Sequence, residues 1–349
     1  MKPERKLSLK SKSGEKMKIW YDASAGKHIR YGAAIANHFR QLGHNVMLTT
    51  RKHPDTLALA ETLNENFIPI GEYNPQSLFT RLQESFKRAI KLAEAINDYD
   101  PDIAISHQSV ELPRVALGLG IPIILTADTP HATVVNKLTV PLANTLVASE
   151  AIPKKLFKRY GARNIIQFKG VDEVAWIKNS KPTESTQLKK PLIVVRQMEA
   201  KASYALGKTD TTETMARKLT TLGNVLFLTR YSKPEKKGLI VMREFVDSAS
   251  LVAHADLVVS SGGTISREAA LQGTPTIVIS EFGKIHVNDY LSKKGFPIFI
   301  TDASNAMTTA KKHLGKRWNV KEKLAELENP VQTIENAANK TLKTKSKQL

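Results

Sequence analysis

From residue 17 onward, short apolar runs alternate with helix-length segments, and this alternation restricts the fold more than any other feature of the chain. Met17–Tyr21 reads as a first strand. A helix follows from near His28, with Tyr31, Ile35, Phe39 and Leu42 on one stripe and a stop at Gly43. Further strands fit Val46–Thr49, Phe67–Ile70, Ile103–Ser106, Pro122–Thr126, Leu146–Ala148 and Ile165–Phe168. Leu78 to Ile96 reads as a long amphipathic helix with its apolar stripe at Leu78, Leu82, Phe86, Ile90 and Ala93. Strands separated by helices of this length imply βαβ units and a parallel sheet covered on both faces. A polar stretch from about Val171 to Lys190 interrupts the pattern. A second series then runs through Leu192–Val195, Val225–Thr229, Leu239–Met242, Leu257–Ser260, Thr276–Ile279 and Pro297–Ile300. The expected class is α/β with two doubly wound domains, which suits a chain of 349 residues. The expected division is a domain over 17–175, a linker over 176–190 and a second domain over 191–330.

Charge adds a second constraint. The chain has 52 basic and 33 acidic residues, a formal net charge of +19. Basic residues crowd both ends, 1–16 and 331–349, which read as flexible tails. Lys154, Lys155, Lys158, Arg159, Arg163 and Lys169 form a run with no acid between them. Such a surface attracts anions: nucleotide phosphates, anionic lipid head groups or nucleic acid. No helix-turn-helix, zinc-finger or RNA-recognition signature accompanies it, so dedicated nucleic-acid recognition is not expected. With no cysteine, disulfides, thiolate catalysis and Cys-ligated metals are excluded. The longest near-apolar run, Val115 to Ala127, contains Pro122 and is too short for a membrane span. No secretory leader is visible near Met1, so the expected location is cytoplasmic, with peripheral contact at a membrane surface as a further expectation.

Ligands of open parallel sheets bind outside the carboxyl ends of the strands. In the first domain those ends carry Ser24, Gly26, His28, His107, Glu111, Asp128, His131 and Glu150. In the second they carry Arg196, Arg230 and Ser261-Gly262-Gly263-Thr264. A cleft between the domains is therefore the expected site. The segment Asp256 to Ile279 is the most informative: strand, Gly-Gly turn, helix from Thr264 to Leu271, Gly273, strand. Two glycines at a helix N-terminus expose backbone N–H groups and let a phosphate approach without a Cβ in the way. Thr264 can cap the helix or donate to a phosphate, and Glu268, one turn on, can accept from ribose hydroxyls. Arg196 and Arg230 suit a bound diphosphate. An imidazole titrates near neutrality, so His28 is a candidate general base, with Asp128 and Glu111 as rivals. Two patterns are decoys. Gly207-Lys208-Thr209 lacks the first glycine of a P-loop, and Asp98-Tyr99-Asp100 falls before a strand, at the wrong end of the sheet. No His/Asp/Glu group has metal-ligand spacing along the chain, so no metal is expected.

The Asp256–Ile279 segment resembles the donor-site motif of GT-B glycosyltransferases and UDP-N-acetylglucosamine 2-epimerases. The opening K-I-W-Y-D-A-S-A-G-K-H-I-R is similar to their first strand–loop–helix, which implies that His28 faces an acceptor. The stretch from Ile121 to Glu150 echoes the epimerases in its Asn136-Lys137 pair but lacks their His-Val-Glu-Ala-Gly-Leu-Arg string, with Asp128 near the Glu position. Over Lys18 to about Asn329 the chain is most similar to the domain of unknown function number 354 family. The resemblance implies two Rossmann-like domains in a GT-B fold and a metal-independent enzyme with a UDP-sugar as donor substrate and no separate cofactor. It leaves the reaction open between glycosyl transfer, a 2-epimerase-type isomerisation with Asp128, Glu111 or Glu150 moving protons, and nucleotide-sugar binding without turnover.

Overall fold

The structure is a computed structural model that describes residues 16–74, 76–180, 182, 188–198, 210–229, 237–242, 245–279 and 285–348. The N-terminal tail before residue 16, Arg230 and Gly207-Lys208-Thr209 lie outside the described residues.

The first half runs β1 (Lys18–Ala23), α1 (Gly26–Gln41), β2 (Asn45–Lys52), α2 (Pro54–Thr62), β3 (Phe67–Glu72), α3 (Leu78–Tyr99), β4 (Ile103–His107), α4 (Glu111–Gly118), β5 (Ile123–Thr126), α5 (Thr133–Thr139), β6 (Thr145–Ser149), α6 (Lys155–Lys158), β7 (Ile165–Phe168) and α7 (Val174–Ile177). The second runs β8 (Leu192–Arg196), α8 (Thr212–Leu219), β9 (Asn224–Leu228), α9 (Ser248–His254), β10 (Leu257–Ser260), α10 (Thr264–Leu271), β11 (Thr276–Ile279), α11 (His286–Lys293), β12 (Ile298–Thr301), α12 (Ala306–His313), α13 (Lys321–Glu326) and α14 (Pro330–Gln348). All neighbouring strands pair in parallel.

The first sheet has the order β3-β2-β1-β4-β5-β6-β7 and the second β12-β11-β10-β8-β9. Each order reverses beside its first strand, between β1 and β4 and between β8 and β10. At such a switch point the crossovers leave in opposite directions and open a crevice at the carboxyl ends. Ser24 and His107 rise from the first crevice, Arg196 and Ser261–Thr264 from the second.

Three local expectations are corrected. Leu239–Met242 is not a strand; it offers only an isolated bridge between Ile240 and Leu226. The stripe on α3 faces outward: the helix is buried through Arg88, Leu92 and Ile96, whereas Leu78, Leu82, Phe86 and Ile90 are exposed. Lastly, the basic stretch after residue 330 is no loose tail. Val331, Ile334, Ala337 and Ala338 of α14 join the core of the first domain beside Ile19, Tyr21, Ile35 and Val147. Four small or medium apolar residues among lysines give a weak hydrophobic signal, yet they fall on one helical face, with Lys340 and Lys343 exposed. The chain thus ends by crossing back to the first domain, and Glu335 meets His38 of α1 at 2.8 Å. Ile334→Ala is expected to cost at least about 2 kcal/mol, the low end for a buried isoleucine cut to alanine. Urea unfolding measures it, and an unchanged midpoint would mean that the helix is not docked in solution.

Candidate active site between the domains

The facing strand ends enclose a cavity of about 620 Å³, lined from one side by Ser24, His28, His107 and Asp128 and from the other by Arg196, Ser261 to Thr264 and Glu268. Gly26 and His131 also line it.

The glycine turn links β10 to α10. Gly262 has φ +98°, and a Cβ there would lie 2.5 Å from Ile285 and 2.8 Å from Asn288, so both backbone and packing require glycine. Gly263 differs, because a Cβ at that position meets nothing within 4 Å. Its open side faces the cavity, and α10 starts one residue later without a side-chain cap. The first N–H groups of α10 are thus directed at the space where an anion would sit. The Ser261 hydroxyl is buried without a hydrogen-bond partner.

Across the cleft, His28 stands at the start of α1. Its Nδ1 lies 3.0 Å from the Ser24 hydroxyl and 3.3 Å from the Ser24 amide. Burial, with help from His107, Lys27 and Arg51, holds the ring well below the ordinary imidazole value, so it is neutral near pH 7. The Ser24 N–H donates to Nδ1, so in this arrangement the neutral ring carries its proton on Nε2. Acting as a base requires the other tautomer, in which Nδ1–H donates to the Ser24 hydroxyl and Nε2 is open. His107 packs edge-on to His28 with centroids 5.0 Å apart. Its own nitrogens meet Thr126 at 2.8 Å and Asp128 at 3.4 Å, so both are occupied.

Asp128 is an anchor. Lys27 Nζ lies 2.5 Å from Asp128, 2.8 Å from Asp172 and 3.5 Å from Glu173. Arg267 of α10 reaches Asp128 at 3.1 Å and Glu173 at 2.8 Å. Burial alone would raise the Asp128 carboxyl, but Lys27, His107 and Arg267 hold it well below the usual range. His107, Asp128 and Asp172 bring ligand atoms within 4.8 Å of one another, a cluster that no spacing along the chain announces. The Lys27 ammonium sits against the two carboxylates of this cluster.

Glu268 is 1 % exposed, and its Oε1 accepts from Trp176 Nε1 at 2.9 Å with Arg30 Nε 3.4 Å away. Burial raises its carboxyl, opposed by Arg30 and Trp176. Arg30 also pairs with Asp247, the cap of α9, so α1 grips the second domain at two points. Arg196 lines the cleft and donates to the Thr229 carbonyl at 3.3 Å.

Two carboxylates expected here sit elsewhere. Glu111 is turned toward α3, outside the cavity lining, 2.7 Å from Ser85 and 3.2 Å from Arg88, which forks onto the buried Asp22 at 2.6 and 3.0 Å. Glu150 accepts from Tyr290 at 3.1 Å outside the cavity lining. Sequence reasoning missed Lys27, Arg30, Asp172, Glu173, Trp176 and Arg267. Lys27 and Arg267 adjoin residues singled out, and only that proximity hinted at them. Asp172 and Glu173 fell in the stretch that reads as polar linker, yet both are buried beside α7.

Two doubly wound domains facing each other across such a cleft define a GT-B fold. The glycosyltransferase SnogD from Streptomyces nogalater superposes with a TM-score of 0.58 at 16 % identity, covering 93 % of this chain and 99 % of that one. The Methanocaldococcus jannaschii UDP-GlcNAc 2-epimerase, solved with UDP-GlcNAc and UDP, gives 0.64 at 13 % identity, covering 92 % and 100 %. The S. aureus MnaA–UDP structure gives 0.69 at 13 %, covering 92 % and 95 %. An uncharacterized protein of Methanocaldococcus jannaschii is 32 % identical over 329 residues, 89 % of this chain and 95 % of its own length. The chain belongs to the family described as protein of unknown function (DUF354), whose model matches residues 17–343. No helix among the described residues is long and apolar enough to cross a membrane.

Proposed function

We propose that this protein binds a UDP-linked sugar in the interdomain cleft and transfers the sugar to an acceptor hydroxyl held by the first domain. The observation that carries this reading is the open face of Gly263 and the α10 N-terminus, directed into a cavity of about 620 Å³ whose opposite wall presents a neutral histidine. The diphosphate lies against the Gly262–Thr264 backbone, the ribose meets Glu268, and Arg196 with Arg230 offsets the charge of the leaving diphosphate. His28 takes the proton of the acceptor hydroxyl. No separate cofactor or metal enters this scheme. The basic Lys154–Lys169 run favours a polyanionic or lipid-linked acceptor.

The transferase is preferred to the isomerase because of the carboxylates. Asp128 is held ionised by two cations, while Glu111 and Glu150 lie off the cavity, so none is poised to shuttle protons. The 2-epimerase reading keeps one specific support, the higher TM-scores of the epimerase and MnaA superpositions.

Calorimetric titration of UDP tests the site. Glu268→Ala should weaken binding roughly tenfold to a hundredfold, the range for a hydrogen bond to a charged group. Gly263→Val should weaken it as much without harming the fold, since φ there is −77° and the space is open. If UDP binds wild type and both folded variants alike, the nucleotide lies elsewhere. UDP release that requires an acceptor supports transfer; epimer formation without one supports the second reading.

A further inference from the structure

The longest helix of the first domain exposes the side that its sequence marks as buried. Leu78 is 79 % exposed, Phe79 72 %, Leu82 52 %, Phe86 46 % and Ile90 64 %. Leu78, Leu82, Phe86 and Ile90 recur every four residues, so they form a line about 18 Å long at the helical rise. The crossovers β3 to β4, β4 to β5 and β5 to β6 run the same way along the sheet. Their right-handedness puts α3, α4 and α5 on one face, opposite α1 and α2. α4 lies against α3, with Arg114 5.0 Å over the Phe86 ring, and adds exposed Leu117. α5 adds exposed Val134 and Leu138. Soluble monomers rarely leave an apolar surface of this extent open without a use for it.

Beside Val134 and Leu138, Thr133, Lys137, Arg159 and Tyr160 line an open recess of about 420 Å³. Arg159 donates to the Pro130 carbonyl and to the Tyr160 hydroxyl, both at 2.9 Å, and the Thr133 and Tyr160 hydroxyls are 3.2 Å apart. Two cations and two hydroxyls at one place suit a phosphate. One loop joins the recess to the cleft: Asp128, Thr129 and His131 line the cleft, and Pro130 between them accepts from Arg159 of the recess. Around the recess, Lys154, Lys155, Lys158 and Arg163 are exposed.

We propose that the α3–α4–α5 face docks on an anionic phospholipid bilayer, with its apolar side chains at the headgroup–acyl boundary and a lipid phosphate between Lys137 and Arg159. Charge decides the occupant. A second copy of the chain would press the same cations against themselves, whereas lipid phosphates neutralise them. The proposal rests on and deepens the acceptor reading above, since the loop that lines the cleft at Asp128, Thr129 and His131 leads directly to Thr133 of the recess. It is tested without a sugar donor, so failure of the surface and failure of transfer are distinguishable.

The full chain is pelleted with phosphatidylcholine vesicles with and without phosphatidylglycerol. Retention is expected only on the anionic vesicles and should fall as salt rises. Lys137→Ala combined with Arg159→Ala should lower the partition coefficient about 25-fold, at roughly fivefold per basic residue. Phe79→Glu combined with Leu82→Glu should lower it at least about tenfold and leave the melting curve unchanged, because both side chains are exposed. Equal retention on both vesicle types, none at low salt, or unchanged retention in both double variants would overturn the proposal. So would sedimentation of wild type as a dimer that the Phe79/Leu82 variant dissolves, which would assign the face to a second copy.

Discussion

Lys27→Met is expected to lower the free energy of unfolding by about 3–5 kcal/mol at neutral pH, the range for removing one partner of a buried ion pair. The size follows from what remains. Asp128, Asp172 and Glu173 would keep their places with Arg267 as the remaining cation of the cluster. Burial alone would lower the Lys27 amine, but the three carboxylates push it above its ordinary range. That contribution is fully present below the unfolded lysine value of about 10.5 and fades as pH rises beyond it. Asp128 has the opposite sign. Its depressed carboxyl contributes stability above the ordinary 3.8, which is lost as pH falls through the folded value. The gap between wild type and Lys27→Met should therefore be widest in the neutral range and close at both extremes. Denaturant unfolding at several pH values measures it, and a gap constant with pH would deny the ionic origin.

His28→Ala should lower kcat by roughly 10²–10⁴, the usual contribution of general acid–base catalysis, while UDP affinity stays near wild type. Ser24→Ala should lower it less, since it removes only the hydroxyl that can accept from Nδ1–H in the reactive tautomer and keeps the residue 24 N–H. Burial holds the His28 imidazole well below 6.5, so the wild-type rate should stay level as pH falls through that value and drop only at lower pH. The same shift has a stability sign. Below 6.5 the unfolded chain takes up a proton that the native ring refuses, so acid weakens the fold. Removing the ring should flatten that slope by up to about 1.4 kcal/mol per pH unit, the limit for one proton. Unchanged turnover in His28→Ala would exclude His28 as the base, and loss of UDP binding with rate would make it a positioning residue.

The period and punctuation of the chain determined the architecture. A strand buried on both faces must be apolar throughout, and a glycine turn ahead of a helix leaves few conformations, so β10–Gly262–Gly263–α10 was legible as local physics. The parallel order followed as well, because a helix between two short strands can return only by a crossover. Tertiary structure alone decided which charges meet. Lys27, Asp128, Asp172 and Arg267 come from four separate segments, and no spacing predicts that an ammonium from one will sit between carboxylates of two others. It also decided which side of α3 is buried. The apolar stripe points one way, but Arg88 must reach the buried Asp22, 66 residues away in sequence. A carboxylate inside the sheet without that partner would be far costlier than a few leucines in water, so the ion pair sets the rotation of the helix and leaves the hydrophobic line outside.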